Sequence, residues 1–292
     1  MTSLAPASRL GGAARDRSAV KGLLLSAPAL ILLLYFFAAL ANILSLSVTD
    51  SSGAFSTQNF TSFAADSRFR TYLMRSAWIA VYVTFIALLA GYPIAYVMSR
   101  GRQRIATIVT LVLAIQFFSI YVIKMYGWML VLGNNGIINR TLQAIGLTDA
   151  PIKLMYTELG VAIGLFASAL PLMVFPISSV LQNINSQYEE AAKGLGAGPL
   201  SAFWRILLPL SAPGVTSGAV LTFVFCFTAY LGPSLLGGGT FKMIGNLIYD
   251  QATVGFNYRL AGVAAIVTLS VSLCVVFGIN ALGNRLLGGN QR

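Results

Sequence analysis

Six stretches of this chain carry no charged residue: 22–49, 76–99, 105–123, 159–188, 206–241 and 260–284. A helix needs about 20 apolar residues to cross the hydrocarbon core of a bilayer, so each run meets or nearly meets the length of one span. The third is the shortest, but Lys124 is followed by the apolar residues 125–132, and one continuous helix is expected to run through it. The fourth and fifth exceed what a span needs, and their ends should lie in loops. The runs do not alternate apolar and polar, which argues against barrel strands. The chain is 57% hydrophobic and 9% charged, against about 25% charged in an average soluble domain. The expected fold is all-α and integral to the membrane, with six transmembrane helices over 22–285, a disordered basic tail over 1–21 and a short tail over 286–292.

The net charge of +11 does not point to nucleic acid. The basic residues sit in short clusters between apolar runs, as topology signals do, with no basic stripe interleaved with aromatics. Their bias is moderate and favours both termini in the cytoplasm. Its strongest part is the Arg100-Gly101-Arg102-Gln103-Arg104 turn. Ala39-Leu40-Ala41 has the form of a signal-peptidase site, but the first apolar run is longer than the roughly 7–15 residues of a signal core, so a retained helix is expected. Cys226 and Cys274 lie deep in apolar runs and read as small core hydrophobes. The chain has no histidine, which removes the commonest general base and metal ligand; no catalytic or metal-binding residue is expected.

Pro28, Pro93, Pro171 and Pro176 fall inside the spans; each is expected to kink its helix, which a membrane bundle tolerates when neighbours satisfy the carbonyls that proline frees. Gly160 with Gly164, and Gly214 with Gly218, form GxxxG pairs suited to close helix approach.

The loop 186–209 is the most informative segment. Ser186 followed by Glu189 reads as a capping box that starts a helix. Glycines 194, 196 and 198 end it, and Pro199 suits the first position of a second helix. Leu200, Phe203, Trp204 and Leu207 recur at helical spacing and predict one apolar face. A helix, a glycine turn and a second helix should therefore lie on the cytoplasmic side.

The spacing of Glu190-Ala191-Ala192, Gly196, Ile206, Leu208 and Pro209 resembles the EAA motif of permeases of binding-protein-dependent ABC importers. The resemblance extends over about 20–285. Tyr92-Pro93-Ile94-Ala95-Tyr96, Tyr126-Gly127-Trp128, the segment 134–139 and the segment 244–251 are similar to the spermidine/putrescine type, its B subunit. The resemblance implies a type I importer permease fold in a bacterial inner membrane. It implies that Glu189, Glu190, Ala191, Ala192, Gly196, Ile206, Leu208 and Pro209 couple the chain to an ATPase. It also implies a second, homologous permease, two ATP-binding subunits that carry ATP and magnesium, and a periplasmic solute-binding protein. The cargo it suggests is a small amine, polyamine first, with an opine or amino acid derivative as the alternative.

No GxxxxGK[ST] sequence occurs, so ATP hydrolysis is expected on a partner. An ion-coupled carrier is the rival class. It usually needs carboxylates within the bundle, whereas Asp16, Asp50, Asp66, Asp149, Glu158, Glu189, Glu190 and Asp250 all fall in loops or at span ends. Lys124 is the one charge at membrane depth. On an unbroken helix it lies about 30 Å from Arg104 and would snorkel to the outer interface; the alternative places it on the translocation path. Gln116, Tyr121, Tyr126, Trp128 and Tyr230 are the path candidates, since Tyr and Trp faces can hold amine cations.

Overall fold

The computed structural model describes residues 11–49 and 53–288. Helix α1 (Gly11–Ser47) leads into a short α2 (Gln58–Ala65), the long α3 (Ser67–Arg100), then α4 (Gln103–Phe118), α5 (Tyr121–Leu132) and α6 (Ile137–Ala144). There follow α7 (Glu158–Asn183), the small α8 (Gln187–Gly194) and α9 (Pro199–Ala202), which passes through a five-residue π segment, Phe203–Leu207, into α10 (Leu208–Phe227). Two short helices, α11 (Leu231–Leu236) and α12 (Ile244–Tyr249), and a second π segment, Asp250–Val254, precede α13 (Tyr258–Gly288). Among the described residues there is no strand, only an isolated bridge between Thr49 and Phe55.

Five helical stretches have the length and hydropathy of a span: Ala27–Ser47, Ser67–Arg100, Glu158–Asn183, Pro199–Phe227 and Tyr258–Gly283. The sixth is broken. The chain turns by 104° between α4 and the helix that starts at Tyr121, because Ser119 and Ile120 are extended. The expectation of one continuous third helix is thus corrected. No proline or glycine marks the break; tertiary contacts hold it. The fifth charge-free run ends in α11 and its turn, as its excess length implied. The helix α1 starts at Gly11, so residues 11–21 are helical rather than a disordered tail, and α13 takes in residues 286–288 of the expected C-terminal tail. Residues 1–10 and 289–292 of those tails, and Asp50, lie outside the described residues.

The helices α3, α7 and α10 form the centre. Ala87, Tyr92, Ala95 and Met98 of α3 meet Met173, Val174, Ile177 and Leu181 of α7 in one buried cluster. A second cluster brings Ile79 and Val83 of α3 together with Met125, Leu165, Phe223, Phe227 and Leu236. In lipid, burial adds little because acyl chains are as apolar as leucine, and close packing does the holding instead. The pair Gly214 and Gly218 shows this directly. A Cβ there would stand 2.8 Å from Pro176 O and 2.9 Å from Met173 O, so α10 and α7 touch backbone to backbone. Helix α1 packs along α13 and leaves Leu30 to Phe37 exposed. Cys226 is buried as expected, but Cys274 is exposed, because it falls on the outward face of α13.

Candidate functional site

The two ends of the bundle are built differently. At the Ser67 end of α3, two buried asparagines close the connections. Asn246 donates to Tyr230 O (3.1 Å) and Ser234 Oγ (2.7 Å) and accepts from Met243 N (2.9 Å), which locks α11 to α12. Asn139 donates to Gly133 O and Ile152 O and accepts from Ile152 N (2.9 Å). Ser76 Oγ on α3 accepts from Ile244 N at 2.8 Å. These asparagines belong to the quoted segments 134–139 and 244–251, and their chemistry is structural: each amide satisfies backbone groups that irregular chain would leave unpaired. Lys242 and Asp250 pair at 2.6 Å on the same end. The hydrogen bond from the lysine to Asp250 holds the Lys242 ammonium above its ordinary pKa.

The Arg100 end carries the loop 186–209. Helix α8 begins where Asn185 Oδ1 accepts from Gln187 N (3.0 Å) and Ser186 O from Glu189 N (3.0 Å). It ends in a Schellman-type arrangement: Gly196 has φ +82°, and Ala197 N donates to Ala192 O at 2.9 Å. A left-handed residue one past the cap with a six-to-one bond is the usual way a helix stops, and glycine takes that φ without Cβ strain. Glu190 and Ala191 are exposed, whereas Ala192 is buried.

Two expectations for this loop are corrected. Glu189 Oε1 lies 3.2 Å from Arg100 Nε, so that carboxylate is engaged by α3 rather than closing a capping box. The run from Pro199 does not give a separate surface helix with one apolar face. It continues through the π segment into α10, and Leu200 (70% exposed) and Trp204 (59%) face outward while Phe203 and Leu207 pack on the inner cluster. A π segment inserts an extra residue per turn, so regular spacing does not carry through it. Ile206, Leu208 and Pro209 follow as partly buried residues where this helix enters the bundle.

The five path candidates are dispersed. Gln116 donates its side-chain amide to Ala167 O, and its own carbonyl accepts from Lys124 Nζ at 3.0 Å. The lysine therefore does not snorkel along a straight helix. It folds back onto the break, caps a carbonyl at the end of α4 that has lost its helical partner, and sits 5.7 Å over the Tyr121 ring. The Tyr121 ring meets Phe225 edge-on at 5.8 Å, and its hydroxyl is buried close to the Gly232 backbone. Trp128 packs against the core, Tyr126 faces outward, and Tyr230 stacks on Tyr249 at 4.3 Å. An apolar cavity of about 690 Å³ lies between α3, α10 and α13, lined by residues including Phe85, Trp204, Ala212 and Ile279. Its only polar side-chain groups are two threonine hydroxyls and the Trp204 ring N–H, so it offers an amine no counter-charge.

Residues 83–287 match the family described as the binding-protein-dependent transport system inner membrane component. The chain belongs to that family. It is an ABC importer permease subunit, and its relatives are permease subunits rather than enzymes. The permease is 32% identical over 204 residues to the spermidine/putrescine transport system permease protein PotB of Haemophilus influenzae, covering 70% of this chain and 71% of that one. It is 30% identical over 215 residues to PotB of Escherichia coli K12, covering 74% and 78%. A bacterial alginate ABC transporter, crystallised in complex with an alginate pentasaccharide-bound periplasmic protein, aligns with a TM-score of 0.73 at 19% identity, over 96% of this chain and 99% of that one. At that identity the likeness concerns the fold.

Three features of the site escaped the sequence. Arg100 was legible only as part of a basic turn. The break at Ser119 was hidden in an apolar run, although Gln116, Ser119 and Lys124 formed a polar cluster that could have flagged it. Asn139 and Asn246 were visible as motif residues, but nothing in the sequence distinguished a backbone lock from a cargo contact.

Proposed function

We propose that this permease imports a small amine-bearing solute, polyamine first, by docking α8 into a separate ATP-binding subunit. The arrangement pairs the chain with a homologous second permease and two ATP-binding subunits, and a periplasmic protein delivers the cargo. Both termini and the 186–209 loop lie in the cytoplasm. The observation that carries this reading is the build of α8: a short helix outside the spans, stopped by Gly196 in a left-handed turn, presenting Glu190 and Ala191 outward beside exposed Leu195 and Leu200. A helix with an acidic residue, small residues and bare apolar groups suits a cleft on a partner. The ATP and magnesium belong to that partner. The choice of amine rests on the two PotB relatives, with an opine or amino acid derivative as the alternative. Tyr126 and Tyr230 keep faces that a cation could meet.

The experiment is vesicle uptake and ATP hydrolysis by the assembled importer carrying Glu190→Lys or Gly196→Val. Both variants touch no span and are expected to insert normally, while uptake and cargo-stimulated hydrolysis are lost. Normal transport by either assembled variant would overturn the docking role. Calorimetry of the cognate binding protein against amines and amino acids tests the cargo: binding of an inorganic anion alone would overturn the amine.

A further inference from the structure

One helix links the two ends of the molecule. Helix α3 runs as one helix from Ser67 to Arg100, with Pro93 inside it, and is tied at three heights. Near its first end, Ser76 Oγ accepts from Ile244 N at 2.8 Å, and both residues are buried. Midway, Tyr92 OH and Ser211 Oγ share a buried hydrogen bond of 2.8 Å, which joins α3 to α10. At its last residue, Arg100 Nη2 donates to Ile184 O at 2.6 Å, the residue that closes α7. The same guanidinium holds Glu189 on α8, Nε to Oε1 at 3.2 Å. From Ser76 to Arg100 is about 36 Å at 1.5 Å per residue.

The lower joint is shielded. The Arg100 and Glu189 side chains are 18% and 13% exposed, in a loop whose other acid, Glu190, is bare. The Nε and Oε1 atoms find no well-directed hydrogen bond, so the contact is ionic, while the directed bond goes to Ile184. A shielded pair is screened by salt far less than an exposed one, and removing one partner leaves the other charge buried and uncompensated. Adjacent acids thus do different work. Glu190 faces out, and Glu189 faces in.

We infer that the Arg100–Glu189 pair is the joint through which displacement of α8 reaches α3, and through α3 the segment 244–254 at the opposite end. Arg100 and Glu189 are positioning residues. This rests on α8 being the ATPase-docking helix. A helix of this length, packed on α7 and α10 and pinned at both ends, transmits a push along its axis, whereas the loop 195–198 would absorb it.

The test uses the importer purified with its ATP-binding subunit, its binding protein and cargo, carrying Arg100→Met, Glu189→Gln or both. The readouts are the amount of ATP-binding subunit that co-purifies and the ratio of cargo-stimulated to basal hydrolysis. The expected result is unchanged co-purification and a stimulation ratio reduced roughly 5- to 20-fold, within the span of typical coupling free energies. The double variant should be no worse than Arg100→Met, because that single already removes the ion pair, along with the bond to Ile184 O. A wild-type ratio in either single variant overturns the inference, as does additive loss in the double. Loss of co-purification in these variants also overturns it, because the pair would then shape the docking surface. Failure of the unaltered chain to co-purify with an ATP-binding subunit would instead defeat the docking reading itself.

Discussion

The two ends of the bundle satisfy their polar groups in opposite ways. At the Ser67 end, Asn139 and Asn246 spend their side-chain amides chiefly on backbone groups of their own chain, and the short helix α12 sits against α3 while α11 packs on α5 and α7. At the Arg100 end, α8 leaves Glu190 exposed, and Leu195 is 89% exposed. A surface that completes its hydrogen bonds internally is built to hold its shape. One that leaves an acid and bare apolar groups on a short, glycine-stopped helix has the build proposed here for contact with a partner. The difference separates a structural lock from the docking element proposed for α8, although both were conspicuous as sequence motifs.

The largest effect should come from breaking the lock. Asn246→Leu removes three hydrogen bonds and leaves the buried Met243 N–H without a partner, while Tyr230 C=O keeps its bond from Ser234 N. At roughly 1–3 kcal/mol for an unsatisfied buried group, a destabilisation of about 2 kcal/mol is expected, read as a lowered thermal midpoint in detergent. An unchanged midpoint would mean that α11 and α12 are not held by this residue.

At the other end, Gly196→Val should lower the thermal midpoint no more than Asn246→Leu does. A Cβ there meets no atom within 4 Å, so the cost is backbone strain of about 1–2 kcal/mol confined to the loop, while transport is lost. Gly196→Asn is the refinement, since asparagine tolerates left-handed φ; it should keep most of the transport that valine abolishes. Equal loss in both would show that the position needs empty space rather than its turn.

A smaller effect belongs to Tyr92→Phe, which deletes the buried bond to Ser211 and should cost about 1 kcal/mol, measured by the same melt. The smallest belongs to Lys242→Met. The Lys242–Asp250 pair leaves each side chain 37% exposed, so screening limits it to roughly 0–1 kcal/mol. The sign is set by the raised pKa of Lys242. The pair's contribution is present below the ordinary lysine range and fades only as pH climbs above it. The stability difference between Lys242→Met and the unaltered chain should therefore close at high alkaline pH and persist at neutral pH.

How much of this was legible follows from where the information sits. The spans are written in hydrophobicity, and five of the six appear as single helices. The turn at Gly196 was legible because only a local rule is involved: a helix that must stop needs a residue at positive φ. The 104° bend was not, because Ser119 and Ile120 carry no local breaker and the bend is stabilised by Lys124 and Gln116 reaching across it. The apolar face foreseen for 200–207 failed for a related reason, since the π segment shifts the register within an apparently regular pattern. Arg100 reads as a topology charge until Glu189 and Ile184 are seen beside it.

The docking of α8 is tested most directly by proximity. With Cys226 and Cys274 replaced by serine, a single cysteine is placed at Ala191 on α8 or, as the control at the opposite end, at Gly239, and the assembled importer is treated with a short cysteine-to-lysine cross-linker. The account predicts that the cysteine at position 191 joins this chain to the ATP-binding subunit and that the one at position 239 does not. A cross-link to that subunit from position 239, or none from position 191 in an assembly that hydrolyses ATP, would contradict it.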